Sequence, residues 1–388
     1  MPTVSQLWFE RAREYADKPY LHYDNRSWTY AQMESETAKA AGAFRALGAA
    51  HGDHIAVLIP NSPEFLLAWF GCMKGGFTAV TINTLLKGEE LEYIINDCDA
   101  KILVTTPALR KTLDAVFPKL TKLQHVVLTD TEAAYPEAKH FAGLTAAAEP
   151  FRPQLQGTDK ASMIYTSGTT GHPKGVILTH ANILYNSYVC HQMIDLAPVD
   201  TALCIMPLFH VNAQIASMMS TLWAGATVVL EEAFKPRSFI DTLKKYRCTT
   251  FSGVPTIYNF LNELKEADGQ DLSFLKACIC GAAPMPIEVF NKFEAKFKGK
   301  IIEGYGLSEG TCVSSLNPMH GQRKIGSIGL PIPGQEMAIV SANVHDRNEF
   351  LGNGEIGEIV IKGPNMMTGY YKKDDANKAT IIDGWLHT

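Results

Sequence analysis

The segment Tyr165-Thr166-Ser167-Gly168-Thr169-Thr170-Gly171-His172-Pro173-Lys174-Gly175 gathers hydroxyls, glycines and one lysine into a single loop. Glycine lets backbone N–H groups approach an anion closely, hydroxyls donate to phosphate oxygens, and lysine supplies positive charge. Together they suit a polyphosphate. The loop is not of the Walker type, in which four residues separate the first glycine from Gly-Lys-Ser/Thr. Here Gly168 is followed at that distance by Pro173, then by Lys174 and Gly175.

Such a loop needs a scaffold, and the flanking pattern supplies one. Residues 161–165 form the apolar run that leads into it. From residue 54 onward, β-rich runs at 55–59, 78–82 and 101–105 alternate with helix-like stretches at 63–73 and 89–97. That alternation predicts βαβ units and a mainly parallel sheet. Residues 131–150, rich in Ala, Glu and Pro, read as a connection between two layers. The pattern resumes with strands at 202–206, 226–230, 249–252, 277–280 and 301–305, and helices at 237–246 and 286–297. After about residue 311 the texture changes to turns and short β segments, among them 358–362. The expected fold is α/β: two layered βαβ-type subdomains with mainly parallel sheets, plus a smaller, distorted β-barrel-like subdomain. The boundaries are placed at 1–160, 161–315 (with the phosphate loop) and 316–388.

The 388 residues are 46% hydrophobic and 19% charged, enough for a sizeable core and too apolar for disorder. A formal net charge of −5 argues against a nucleic-acid partner. The first residues carry no basic start followed by an apolar stretch, and the longest apolar run, 65–73, is far too short to span a bilayer. The 8 cysteines are scattered without a Cys-x-x-Cys pair, which favours buried free thiols in a reducing, cytoplasmic setting over zinc or disulfides. Cys278 and Cys280 are read as facing opposite sides of a strand.

Two literal motif matches fail on context. Gly352-Asn-Gly354-Glu-Ile-Gly357 fits a dinucleotide fingerprint, but a strand follows it where a helix N-terminus is required. Gly306-Leu-Ser308-Glu-Gly310 fits a nucleophile elbow, and Asp346, Asp383 and His387 even follow in order. The residues after it, 312–318, read as strand and turn, so no helix completes the elbow.

The phosphate loop resembles that of the adenylate-forming enzymes, which include acyl-CoA synthetases, adenylation domains and luciferases. Four further strings resemble motifs of that family, in its order. Met206-Pro-Leu-Phe-His210-Val211-Asn212-Ala213-Gln214 corresponds to the segment whose aromatic/His pair lies beside the carboxylate pocket. Gly281-Ala282-Ala283-Pro284 corresponds to the turn against adenine, and Glu303-Gly304-Tyr305-Gly306-Leu307-Ser308-Glu309 to the Tyr-Gly-x-Thr-Glu motif, with serine in place of threonine. By this resemblance Tyr305 packs on adenine, Ser308 bonds the α-phosphate and Glu309 holds Mg²⁺. Asp383-Gly-Trp-Leu-His-Thr388 matches a string that relatives continue with a ribose-binding aspartate, a hinge and a lysine-bearing C-terminal domain. The resemblance covers essentially the whole chain, which reads as the large N-terminal domain alone, a fragment expected to bind ATP and acyl-adenylate with little turnover.

The resemblance implies ATP-dependent activation of a carboxylic acid, a fatty or related acyl acid, to an acyl-adenylate, followed by thioester formation with coenzyme A. Carboxylate attack on the α-phosphorus expels pyrophosphate, a step that needs charge neutralisation more than acid–base help. The implied catalytic set is Lys174, Thr166, Glu309 and His210, with Ser167, Gly168, Thr169, Thr170 and Gly171 around the phosphates. The implied acyl pocket is Val211, Asn212, Ala213, Gln214, Gly304, Leu307 and Cys312. Asn212 and Gln214 are open between bonding a polar acyl tail and satisfying backbone at a helix start. The alternatives are an adenylating domain that serves a carrier protein or activates an amino acid, and a nonenzymatic nucleotide-binding module. Homodimerisation stays open.

Overall fold

The computed structural model describes residues 2–130, 138–166, 171–343 and 349–388. Two helices form the middle of the molecule. Tyr30–Ala46 starts at a capping box in which Thr29 and Gln32 satisfy each other's backbone N–H groups. Pro63–Gly75 starts with the Ser62 side chain accepting from the Phe65 N–H, and ends where Gly76 turns left-handed at φ 77°. Its side chains are buried almost all the way round, as expected of a helix enclosed on every side. The two pack so closely that a Cβ at Gly71 would come within 2.7 Å of the Ala40 Cβ.

Among the described residues the strands form three sheets. In the eight-stranded sheet, Lys160–Thr166, Thr78–Thr81, His54–Leu58, Ile102–Thr105, His125–Leu128 and Lys139–His140 run parallel in that spatial order. Lys174–Thr179 and then Gly369–Tyr370 add to it antiparallel. The nine-stranded sheet has a parallel centre of Ile301–Tyr305, Ala277–Cys280, Thr250–Gly253, Thr201–Cys204, Thr227–Leu230 and Pro19–Tyr23. One apolar core, with Trp8, Phe65, Trp69 and Phe70 at its heart, joins the two large sheets through the central helices. Separate clusters cover the outer faces, one around Phe251 and Phe293, the other around Ile94 and Leu103. The inner parallel strands, such as His54–Leu58, Thr78–Thr81, Thr227–Leu230 and Ala277–Cys280, are thus buried on both sides, which is why they read as continuous, largely apolar runs. A four-stranded antiparallel sheet of Glu336–Val340, Glu358–Lys362, Trp385–His387 and Ile381–Ile382 forms the small β unit.

Three readings of the sequence are corrected. A contiguous cut at 160/161 would fall inside strand Lys160–Thr166, and the hairpin Pro19–Thr29 joins the nine-stranded sheet, so sheet membership does not follow the contiguous segments. Within 131–150, residues 131–137 lie outside the described part, but Lys139–His140 is an edge strand and Phe141–Ala147 a helix. The buried Phe141 ring, 6.0 Å from that of Phe44, anchors that Ala-rich piece to the core. Cys278 and Cys280 share one core cluster, because residues i and i+2 of a strand face the same side. All eight cysteines are buried and unpaired. No helix among the described residues is long and apolar enough to cross a membrane.

Candidate active site

The parallel strands of both large sheets bring their C-terminal ends to one region, where open α/β sheets bind ligands. Thr166 ends a strand of the eight-stranded sheet and pairs in register with Lys174, the first residue of the returning strand. Tyr305 ends a strand of the nine-stranded sheet, and the tight turn Ser308–Gly310 after it carries Glu309. The two sheets meet at that glutamate. Thr166 Oγ1 donates to Glu309 Oε1 at 3.3 Å. The Tyr370 hydroxyl donates to the same oxygen at 2.9 Å, and the Lys174 ammonium lies 5.0 Å from the centre of the Tyr370 ring. Burial, and then the Glu309 charge, push the Tyr370 pKa up, so the phenol remains a donor.

Tyr370 is placed by the pairing of Gly369 with Ile177, and by the Asn377 Oδ1 that accepts its backbone N–H at 2.6 Å. The Met367 N–H donates to the Glu309 carbonyl at 2.7 Å, which ties the same segment to the turn. Ser167, Gly168, Thr169 and Thr170 lie outside the described residues. Gly171 follows them at φ 137°, a conformation side chains disfavour, and the His172 ring stacks on Tyr93 at 4.5 Å.

Two cavities adjoin along Gly304, Tyr305 and Gly306. One, of about 360 Å³, is lined by Ala282, Ala283, Pro284 and Tyr305, and closed by residues 326–328. Glu303 fixes that closing loop by accepting the Gly326 N–H at 3.0 Å. The other, of about 270 Å³, has His210, Val211, Asn212, Gly281, Leu307, Ser308 and Cys312 in its wall. Glycine is required between them: a Cβ at Gly306 would overlap the Cys312 carbonyl, and one at Gly304 would stand 2.6 Å from Leu316. His210 packs against Phe209 at 4.3 Å, and burial lowers its pKa, which keeps the imidazole neutral near pH 7.

Two residues expected in the acyl pocket are not brought to it. Ala213 and Gln214 follow Asn212 on the helix Asn212–Met219 and turn away into the core. The Gln214 amide is committed there, donating to Thr81 Oγ1 at 3.0 Å and to the Leu208 carbonyl at 2.8 Å. Its role is to tie the helix to the end of strand Thr78–Thr81. The sequence reading also missed Tyr370, which sits in Gly369-Tyr-Tyr371 with no chemical neighbour in sequence. It missed Met206, Val254, Ile279, Val313 and Leu316, apolar wall residues that look like any strand-end core.

With this geometry in hand, comparison with known proteins is decisive. A model of the family described as AMP-binding enzyme matches residues 8–371. The chain belongs to the AMP-binding enzyme family. Among its AMP-binding relatives, a long-chain-fatty-acid–CoA ligase of Bacillus subtilis is 32% identical over 100% of this chain and 73% of its own length. A feruloyl-CoA synthase of an Amycolatopsis species is 32% identical over 97% and 73%. Among solved structures, the anthranilate–CoA ligase AuaEII in complex with anthranoyl-AMP superposes with a TM-score of 0.94 at 25% identity, covering 100% of this chain and 74% of that one. The inhibitor-bound N-terminal domain of FACL13 from Mycobacterium tuberculosis gives 0.90 at 27% identity, covering 100% and 96%. The mixed α/β architecture with large, mainly parallel sheets is the one these family members share.

Proposed function

We propose that this chain activates a carboxylic acid with ATP, forming an acyl-adenylate and releasing pyrophosphate, and that coenzyme A then accepts the acyl group. The observation that carries the reading is the meeting of Thr166 and Glu309 at 3.3 Å, beside Lys174 and next to two adjoining cavities. Adenine enters the cavity of Ala282–Pro284 and packs on Tyr305, while the acyl group enters the one beside His210. The α-phosphate then falls between them near Ser308. Lys174, Thr166 and the loop residues Ser167, Gly168, Thr169, Thr170 and Gly171 neutralise and orient the phosphates.

Glu309 offers a carboxylate beside a threonine hydroxyl, hard oxygen donors of the kind Mg²⁺ takes together with substrate phosphates. The chemistry Mg²⁺ supplies there is charge neutralisation on phosphate oxygens. The residues of the chain do the rest: they hold the carboxylate oxygen in line with the α-phosphorus and keep water out. His210, its imidazole kept neutral by desolvation, shapes the carboxylate end without bringing charge to it. An amino-acid substrate fits less well, since among the described residues no Asp or Glu lines the acyl-side cavity to hold an ammonium.

The test is calorimetry with benzoyl- and octanoyl-sulfamoyl-adenosine, non-hydrolysable mimics of the adenylate, against AMP. Intermediate-like ligands that fill both cavities should bind on the order of a hundredfold tighter than AMP. If no acyl mimic exceeds AMP, the acid-activating reading fails and a plain nucleotide-binding module takes its place.

A further inference from the structure

The turn that carries Glu309 ends in a strained residue. Thr311 follows Ser308–Gly310 at φ 70° and ψ −49°, and the Cys312 N–H donates to the Gly310 carbonyl at 2.9 Å. That is a γ-turn of the positive-φ kind, a rare and disfavoured conformation. Branching at Cβ disfavours it further, and Thr311 is the one β-branched side chain at positive φ among the described residues. A glycine would adopt the same turn freely. Strained positions persist where their surroundings over-determine them, and they cluster at functional sites.

Here the surroundings are a buried clamp, in which three consecutive residues each bond to the segment 365–367. The Met367 N–H donates to the Glu309 carbonyl at 2.7 Å, and the Asn365 side-chain amide donates to the Gly310 carbonyl at 3.0 Å. The Thr311 hydroxyl donates to the Asn365 carbonyl at 2.5 Å. Asn365 is held from both flanks, since Asn182 on the helix His180–Met193 donates to the carbonyls of Pro364 and Met366. Gln335 extends the clamp, accepting from Asn365 at 2.7 Å and donating to the Ser314 carbonyl at 2.8 Å. Thr311, Ser314 and Asn365 have no exposed surface, so no ligand touches the clamp itself.

What the clamp fixes is the path of the chain on either side of it. Before it, Glu309 presents its carboxylate to the hydroxyls of Thr166 and Tyr370. After it, the Cys312 carbonyl lies close against Gly306, and the Ser314 N–H closes the loop on the Tyr305 carbonyl at 2.8 Å. A hydroxyl that ties the turn down accounts for a threonine where glycine would be easier.

We propose that Thr311 is a positioning residue: clamped by Asn365, its strained turn aims the Glu309 carboxylate at the phosphates and their Mg²⁺. The inference rests on the acid-activating reading and deepens it, adding a residue that touches no ligand and acts through Glu309.

The experiment measures ATP affinity of the 388-residue chain by calorimetry across a Mg²⁺ titration. AMP without metal is the reference, and melting temperature without ligand reports folding. Thr311→Gly relieves the strain but removes the hydroxyl. It should weaken ATP binding in Mg²⁺ about tenfold and raise the Mg²⁺ midpoint, with AMP affinity unchanged. Thr311→Ser keeps the hydroxyl and should bind within about twofold of the unmutated chain. In a Glu309→Gln protein the glycine change should have no further effect, because it acts through that carboxylate. A folded Thr311→Gly protein with an unaltered Mg²⁺ dependence overturns the inference. So does an equal loss of ATP and AMP affinity, which a general loosening of the fold would give. A Thr311→Ser protein that loses as much, or a loss that persists in full on the Glu309→Gln background, overturns it too. A crystal structure of the unmutated chain with residue 311 at negative φ, or with its hydroxyl away from Asn365, does so even if the variants fail to fold. These outcomes leave acid activation standing, since that reading fails only if no acyl mimic binds more tightly than AMP.

Discussion

The cavities on either side of Gly304–Gly306 are built in different ways. The cavity proposed for adenine is made of turns and main chain: Ala282 at φ 68°, Pro284, the glycines themselves, and a loop pinned by one carboxylate. The cavity proposed for the acyl group is made largely of side chains from well-separated stretches, near residues 206–212, 253–254, 279–281 and 304–316. A surface of main chain recognises the part of a ligand that does not vary and needs specific residue types in short strings. A wall of side chains can be retuned one residue at a time without touching the reaction. The phosphate cluster belongs with the first kind, since its partners are fixed by strand pairing between Thr166 and Lys174.

The harshest way to break this division is at the shared edge. Gly306→Val would drive a side chain into the Cys312 carbonyl, at about 3 kcal/mol or more of stability. Melting temperature should fall, and AMP and acyl mimics should lose affinity together. Next come changes confined to the phosphate side. Glu309→Gln should weaken ATP binding in Mg²⁺ on the order of a hundredfold and flatten its Mg²⁺ dependence. Tyr370→Phe removes only one of the two hydroxyl donors to Glu309 and should cost roughly tenfold in the same titration. Neither change should reorder the acyl mimics. A reordering in Tyr370→Phe would show that the two sides are not separable.

A smaller effect comes from the Gln214 amide. Gln214→Leu strips hydrogen bonds from Thr81 and Leu208, so it should lower stability by about 1–3 kcal/mol while leaving the ranking of acyl mimics intact. Urea unfolding and the mimic panel together check both halves. The smallest effect concerns pH. Burial depresses the His210 pKa below its ordinary 6.5, so the unfolded chain takes up a proton before the folded one. The stability tied to the neutral ring is therefore present above pH 6.5 and declines as pH falls from there toward the folded value. Replacing His210 with Asn should flatten that part of the stability–pH curve, and an unchanged curve would show that the ring is not held neutral.

How much of this was legible in the sequence follows the same division. Thr166 and Lys174 stood out because hydroxyls, glycines and lysine occur there in one string whose chemistry is local, whereas Tyr305 and Glu309 were singled out by the resemblance to the adenylate-forming enzymes. The alternation of short apolar runs and helices announced the parallel sheets. What stayed hidden depends on contacts distant in sequence. Tyr370 reaches Glu309 only because a two-residue strand attaches to the edge beside Lys174. The apolar wall of Val254, Ile279 and Leu316 has no signature beyond ordinary core composition. Asn212 and Gln214 were indistinguishable by type, and only folding showed that one amide is satisfied and the other is not. The interleaving of the sheets escaped for a related reason, because the hairpin Pro19–Thr29 pairs with a strand some two hundred residues later.

The most direct test of the central claim is a crystal structure of this chain with benzoyl-sulfamoyl-adenosine bound. The account predicts adenine against Tyr305 and Ala282–Pro284, the sulfamate near Ser308 and Lys174, and the acyl ring beside Val211. A mimic bound with its acyl group outside the cavity of His210, Val211 and Cys312, or with adenine away from Tyr305, would contradict it.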